Sequence, residues 1–242
     1  MSADTPDTKS LKIKIFADGA DKAGIAEIGK NPLVKGFTTN PTLMRKVGIT
    51  DYEAFAKEVL GIIGGRPISY EVFADDFSEM ERQAQKIAAW GDNVYVKIPV
   101  TNTKGESAVP TVKKLAAAGV KLNVTALMTL QQVKEVAEAL KDGPPSNISV
   151  FAGRIADTGR DPLPIMKEAI EIMKIAPKSE LIWASPRELL NIFHAESIGC
   201  HIITVTNDVL AKLALVGKDL GEYSLDTVKM FERDGKASGF TL

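Results

Sequence analysis

The composition of the chain is that of a globular protein. It has 242 residues, of which 45% are hydrophobic and 25% charged, and its formal net charge is −1, which argues against disorder, a fibrous repeat or nucleic acid as the main partner. No apolar run is long enough for a transmembrane helix, and the first residues lack the apolar stretch of a signal peptide. A single cysteine cannot form an internal disulfide. We therefore expect a cytoplasmic protein that does not bind membranes.

Short β-rich runs alternate with longer helical patterns along the chain. Eight runs predict strands: Lys12–Ala17, Val34–Thr38, Ile68–Phe73, Asn93–Pro99, Val120–Thr125, Asn147–Phe151, Glu180–Ala184 and His201–Val205. Helical patterns follow them: Ala20–Gly29, stretches up to Ile63, Phe77–Trp90, Glu106–Ala118, Leu130–Leu140, Pro162–Ile175, Arg187–Glu196 and Val209–Val216. Strands that alternate with helices predict parallel pairing through right-handed crossovers. Eight such units predict an α/β fold, a closed (β/α)8 TIM barrel; the alternative, a doubly wound sheet, usually has fewer strands.

A further amphipathic segment, Leu225–Arg233, follows the eighth unit and predicts an extra C-terminal helix. We expect a disordered tail over residues 1–10, the barrel over residues 11–222 and a helical extension over residues 223–242. The extension either packs on a neighbouring subunit or folds back across its own barrel mouth. An oligomer interface is favoured because the apolar residues of the extension have no obligatory place in a complete barrel. They are Leu225, Val228, Met230, Phe231 and Phe240.

Polar residues collect at the predicted C-terminal ends of the strands. Strands of a parallel barrel are buried on both faces and should be apolar, so these residues need an explanation. In a (β/α)8 barrel this rim carries the catalytic groups. The residues concerned are Asp18, Thr39, Asn40, Glu71, Lys97, Asn123, Thr125, Ser149, Arg154, Ser185 and Arg187.

Lys97 is the most informative of them. Strand alternation places Tyr95, Lys97 and Pro99 on one face, while the opposite face of valines and isoleucine suits packing against helices. Lys97 then points into the barrel, where burial disfavours the ammonium form of a lysine and leaves an amine that can attack a carbonyl to form a Schiff base. The alternative is a lysine at a strand end that extends to solvent.

Two carboxylates at the same rim, Asp18 and Glu71, are candidates for general acid–base catalysis. Alternatively, Asp18 caps the following helix and Glu71 forms a buried ion pair.

Arg154, Ser185 and Arg187 suggest an anion site, because the planar guanidinium binds phosphate with several donors. Equally, the arginines could tie loops to nearby acids such as Asp157 and Glu188. Two histidines and one cysteine without ligand spacing predict no metal site.

Five segments of the chain closely resemble motifs of the transaldolase family. They are GFTTNPTL (Gly36–Leu43), VYVKIPVT (Val94–Thr101), NVTALMT (Asn123–Thr129), SVFAGRIAD (Ser149–Asp157) and WASPREL (Trp183–Leu189). They occur in the family's order, and the resemblance extends from about Ile15 to Val205.

The resemblance implies a class I aldolase barrel that needs no metal or cofactor, and it implies a role for each residue. Lys97 carries a dihydroxyacetone unit as an imine, and Asp18 is the acid–base group near the C4 hydroxyl of the substrate. Glu71 and Thr125 position and activate water. The remaining positions bind substrate: Asn40 and Asn123 (triose hydroxyls), Ser149 and Phe151 (lining of the site), and Arg154, Ser185 and Arg187 (phosphate).

The resemblance also distinguishes between related activities. Fructose-6-phosphate aldolases of this superfamily typically carry Gln at the position of Glu71 and Tyr at that of Phe151, so both positions resemble transaldolase. Trp183 and Pro186 depart from the family pattern, and Trp183 either fills a barrel layer or narrows the pocket.

The implied activity is transfer of dihydroxyacetone from fructose 6-phosphate or sedoheptulose 7-phosphate to an aldose phosphate, in the pentose phosphate pathway. The alternatives are a fructose-6-phosphate aldolase, a transaldolase for a modified ketose such as a sulfonated one, and a non-catalytic sugar-phosphate binder. The chain resembles the compact subfamily close to fructose-6-phosphate aldolase, which implies a homo-oligomer, a decamer of two pentamers.

Overall fold

Parallel strands form a closed barrel in the computed structural model, which describes residues 8–241. Each strand pairs in parallel with the next, and the eighth pairs with the first. Within residues 8–241 the strands are β1 Lys14–Asp18, β2 Val34–Thr38, β3 Ile68–Glu71, β4 Val94–Pro99, β5 Leu122–Leu127, β6 Ser146–Val150, β7 Ser179–Trp183 and β8 Ile202–Thr206. The predicted (β/α)8 barrel is therefore confirmed, and the open sheet is excluded.

Helices follow the strands, and several of them begin at a side-chain cap. The helices are α1 Lys22–Ile28, α2 Pro41–Lys46, α3 Tyr52–Ile62, α4 Phe77–Ala88, α5 Val109–Ala117, α6 Leu130–Leu140, α7 Ala152–Ala156, α8 Pro162–Met173, α9 Leu190–Ser197, α10 Asn207–Ala211 and α11 Leu220–Ser238. The cap of α1 is Asp21, which accepts from the Gly24 amide, so the alternative of Asp18 as that cap is wrong. None of the described helices is long and apolar enough to span a membrane.

An apolar layer fills the middle of the barrel. Phe16, Ile182, Ala184 and Ile202 form a buried cluster, and a Cβ atom at Gly36 would lie 2.6 Å from the Phe16 ring. A side chain at position 36 would therefore displace the Phe16 ring from its place in the lumen. On the N-terminal side of this layer lies a cavity of about 360 Å³, whose lining includes Lys14, Tyr95, Asn147 and Glu180. The candidate active site lies on the C-terminal side.

The chain divides into two compact units. Residues 12–210 form the barrel, and the described residues 8–11 and 211–241 belong to the second unit. The second unit contains α11, which is longer than the predicted Leu225–Arg233 and has no buried residue. Of the predicted tail, residues 1–7 lie outside the described part, and Thr8–Ser10 form a 3-10 turn.

Candidate active site

A cavity of about 460 Å³ opens at the C-terminal ends of the strands. This volume is in the range of small-ligand sites. Positions in or directly after all eight strands contribute to its lining: Asp18, Thr38, Asn40, Pro41, Thr42, Leu43, Glu71, Lys97, Ala126, Ser149, Phe151, Arg154, Ala184, Ser185 and Thr204. The structure thus brings together eight of the eleven predicted site residues. Asn123, Thr125 and Arg187 do not line the cavity.

Lys97 lies near the centre of this arrangement. It is 7% exposed, so its side chain faces the cavity and not bulk solvent. Its Nζ donates to the Thr39 carbonyl oxygen at 3.0 Å and lies 3.4 Å from Oε2 of Glu71. Glu71 is the register partner of Lys97 on the adjacent strand, which explains why the two side chains meet. The predicted ion pair of Glu71 thus forms with the candidate nucleophile itself.

Asp18 ends β1 at the same level. Its Oδ1 accepts from the Thr38 hydroxyl at 2.7 Å, and its Oδ2 lies 3.5 Å from Nδ2 of Asn40. Oδ1 of Asn40 accepts from the Leu43 amide, which fixes the orientation of the asparagine amide toward Asp18. Burial raises the pKa of Asp18, against the opposing effects of the Lys97 charge and the Thr38 hydrogen bond. A carboxyl group with a raised pKa is suited to proton transfer near neutral pH.

A hydrogen-bonded row crosses the lumen from β3 to β6. Nδ2 of Asn123 donates to the Ser69 hydroxyl at 2.9 Å, and the Ser149 hydroxyl donates to Oδ1 of Asn123 at 2.7 Å. Asn123 is fully buried and held by these two contacts. The buried Thr125 hydroxyl has no hydrogen-bond partner in the described part of the chain. Buried polar atoms of this kind usually bind a water molecule or a ligand.

Arg154 lies on α7 and lines one side of the cavity. Its guanidinium lies 5.6 Å from the centre of the Phe151 ring, and no carboxylate pairs with it among residues 8–241. Ser185 lines the same side in a left-handed conformation with φ +58°, which is costly for a residue with a Cβ and is typical of functional sites.

Arg187 has a different environment. Its Nε donates to Oδ1 of Asp157 at 2.9 Å, and its Nη2 bonds to Oδ2 of the same carboxylate. Of the two interpretations of Arg187 given by the sequence, the structure contains the ion pair with Asp157, and the phosphate contact stays a prediction. Glu188 is not the partner in this pair.

Seven residues that line the cavity were not among the predicted site residues. Two of them, Thr38 and Thr204, have hydroxyl oxygens that lie 2.5 Å apart. A threonine within a β-strand is ordinary, so nothing in the sequence marks either residue as functional. Trp183, by contrast, does not narrow the pocket. It alternates with the lumen-facing Ile182 and Ala184 and is buried on the opposite, helix-facing side of β7.

Comparison with known proteins identifies the family of the chain. The family described as Transaldolase/Fructose-6-phosphate aldolase matches residues 15–241. "Probable transaldolase 2" of Listeria monocytogenes is 35% identical over 202 residues, which cover 83% of this chain and 88% of the relative. "Probable transaldolase" of Streptococcus pyogenes serotype M5 is 37% identical over 202 residues, which cover 83% of this chain and 90% of the relative.

Solved structures agree at the level of the fold. Dihydrodipicolinate synthase of Thermotoga maritima superposes with a TM-score of 0.61 at 11% identity, over 92% of this chain and 80% of that one. KGPDC of Streptococcus mutans gives 0.55 at 12% identity, over 80% and 88% of the two chains. The barrel and the sequence relatives together define an aldolase-type enzyme. The chain belongs to the transaldolase/fructose-6-phosphate aldolase family.

Proposed function

We propose that this protein is a transaldolase that moves a dihydroxyacetone unit from fructose 6-phosphate or sedoheptulose 7-phosphate to an aldose phosphate, as in the pentose phosphate pathway. The observation that carries the proposal is a buried lysine, Lys97, facing a polar cavity in contact with a carboxylate, Glu71. A lysine amine in such a site attacks the ketone carbonyl and forms an imine with loss of water.

Asp18 is the acid–base group of the carbon–carbon cleavage. It takes the proton of the C4 hydroxyl, and the O–H electron pair becomes the second bond of the departing aldehyde. The pair of the breaking C3–C4 bond passes into the protonated imine on Lys97 and gives an enamine. The reverse sequence adds the enamine to the second aldehyde. The raised pKa of Asp18 supports this role, because the group must both accept and return a proton.

Glu71 and Thr125 position and activate the water molecule that is released when the imine forms and consumed when the imine is hydrolysed. Glu71 supports this role through its position 3.4 Å from Nζ of Lys97, where its carboxylate can accept a proton from the amine or from water. Thr125 supports it through a buried hydroxyl without a partner among the described residues.

Arg154 is the main phosphate-binding residue in this proposal. Its guanidinium lines the cavity without a competing carboxylate in the described chain, and Ser185 adds a hydroxyl on the same side. Arg187 can join only if its bidentate pair with Asp157 rearranges. Asn40 and Ser149 line the cavity and are placed to contact substrate hydroxyls. Asn123 is fully buried and does not line the cavity, so a contact with substrate requires a rearrangement that exposes its remaining amide N–H or lone pair.

Borohydride trapping tests the proposal directly. Incubation with fructose 6-phosphate and borohydride should leave a reduced dihydroxyacetone adduct on Lys97, identified by peptide mass, and Lys97→Ala should abolish both adduct and turnover. Lys113→Ala, an exposed lysine of α5, is the matched control and should retain both. A labelled lysine elsewhere, with an active Lys97 variant, would refute the mechanism.

A transaldolase needs an aldehyde acceptor and a fructose-6-phosphate aldolase does not, so acceptor dependence distinguishes the two activities. With Glu71 and Phe151, transfer to an aldose phosphate should far exceed release of free dihydroxyacetone. Phe151 packs against the apolar cluster of the lumen and offers no hydroxyl to hold a hydrolytic water. Rapid cleavage of fructose 6-phosphate without an acceptor would instead establish an aldolase. A sulfonated ketose serving as the better donor would establish the modified-substrate alternative.

A further inference from the structure

A chain of hydroxyl groups leads from β8 to the carboxylate of Asp18. The hydroxyl oxygens of Thr204 and Thr38 are 2.5 Å apart, and that of Thr38 is 2.7 Å from Oδ1 of Asp18. Thr38 is 2% exposed and Thr204 is 8% exposed, so bulk water does not compete strongly for these contacts. The three residues come from β1, β2 and β8, which are adjacent in the closed barrel.

The direction of these hydrogen bonds follows from counting protons. An ionised carboxylate only accepts, and a threonine hydroxyl has a single proton to donate. When Asp18 is ionised, the Thr38 hydroxyl must donate its only proton to Oδ1 of Asp18. The short contact between the two threonines is then a hydrogen bond only if Thr204 is the donor.

We propose that Thr204 is a positioning residue for proton transfer. It donates to Thr38, which thereby donates to Oδ1 of Asp18 and leaves Oδ2 as the oxygen that exchanges a proton with substrate. Oδ2 is the freer oxygen, because its one contact is Nδ2 of Asn40 at 3.5 Å. The inference rests on the proposed function, in which Asp18 is the acid–base group.

Loss of the chain has a predictable effect on the acidity of Asp18. A hydrogen bond donated to the charged form lowers the pKa of a carboxyl group, and Thr38 has this effect on Asp18. Without Thr204, Thr38 is no longer held in the donating orientation, and the pKa of Asp18 rises further. The charged side chains that line the same cavity, Lys97 from β4, Glu71 from β3 and Arg154 from α7, are unchanged by the substitution.

The test compares Thr204→Val, which removes the hydroxyl at nearly constant size, with Thr204→Ser, which keeps it. For Thr204→Val, kcat/KM for fructose 6-phosphate should fall about three- to tenfold, the loss expected for one hydrogen bond. The acid limb of its pH profile should move up by about half a unit. Thr204→Ser should restore both. Thr111→Val, a buried threonine of α5 away from the cavity, controls for the loss of a buried hydroxyl and should leave the profile unchanged.

The outcomes separate this inference from the proposed function. Borohydride trapping at Lys97 should persist in Thr204→Val, since the lysine is untouched; failure of trapping in the unmodified enzyme would refute the proposed function itself. If trapping is normal but Thr204→Val keeps an unshifted profile, or if Thr204→Ser does not restore it, the positioning role is refuted. Should Thr204→Val fail to fold, Thr204→Ala removes the same hydroxyl without crowding and is read by the same criteria.

Discussion

Gly153 provides a stringent test of how the anion side of the site is built. A Cβ atom at this position would lie 1.6 Å from the Ser185 carbonyl oxygen, 2.7 Å from the Ser185 carbonyl carbon and 3.3 Å from Nε of Arg187. The nearest distance is far inside van der Waals contact, and the group it strikes is backbone. Gly153→Ala can therefore be accommodated only if α7 and the loop after β7 move apart by about 1–2 Å, judged from ordinary contact distances of about 3.5 Å.

The size of the effect follows from that displacement. Overpacking of a well-packed region costs about 1–3 kcal/mol of stability, which for a chain of this size lowers Tm by roughly 2–4 °C per kcal/mol. Activity should suffer more, because the movement carries Arg154 and Ser185 away from the cavity, and a misplacement of about 1 Å costs on the order of a hundredfold in rate. We therefore expect a folded enzyme with a severe loss of kcat/KM for phosphorylated substrates.

The assay is acceptor-dependent transfer together with thermal unfolding. Gly61→Ala is the matched control, since Gly61 lies within α3 and a Cβ atom there meets nothing within 4 Å. In a helix interior the same substitution stabilises by about 0.5–1 kcal/mol. If Gly153→Ala retains the activity and Tm of the unmodified protein, the contact between α7 and Ser185 does not set the geometry of the site.

Three further predictions concern other parts of the structure. Burial raises the pKa of Asp18, so between the unfolded and folded values only the folded state holds the proton, and stability falls as pH rises. Asp18→Asn should therefore abolish turnover yet raise Tm at pH 7, with the gain shrinking toward pH 3.8; an unchanged Tm at both pH values would contradict the raised pKa. Arg154→Ala should raise KM for phosphorylated substrates about ten- to hundredfold and Arg187→Ala less, and the reverse order would mean that the pair with Asp157 opens in solution. Light scattering should show an oligomer, a decamer by resemblance, that is lost on truncation after Gly221; a monomeric full-length chain at micromolar concentration would refute the interface role of the C-terminal segment.

Much of the barrel could be predicted because its signal is repeated. The strands, such as Val94–Pro99, are short β-rich runs followed by helical patterns, and the repetition makes single errors unimportant. The least predictable elements are short. The five-residue helix Ala152–Ala156 lacks both a side-chain cap and a full apolar stripe, so the sequence does not separate it from a loop. Likewise β5 continues to Leu127 through a register shift at which Ala126 has φ +66°, a feature set by neighbouring strands.

The candidate site was predictable where a charged residue interrupts an apolar strand, as at Lys97, since burying a charge needs a reason. It was not predictable where the polar residue is also a good strand former. Thr38 and Thr204 are singled out by the short distance between their hydroxyl oxygens, which only the structure shows, and not by their residue type. The pairing of Arg187 with Asp157 was one of two alternatives that the sequence offered, and the choice between them depends on how α7 and the loop following β7 are placed side by side.

The pairing of β8 with β1 has a consequence for how the protein folds. These strands, joined in register from Lys14 and Ile202 to Asp18 and Thr206, come from opposite ends of the barrel sequence, and contacts of such separation form slowly. The Thr204–Thr38–Asp18 chain spans this seam, while most helices form with local partners. During refolding, the far-UV circular dichroism signal of the helices should therefore recover before catalytic activity does. The rate at which activity returns should then report the rate at which β8 pairs with β1.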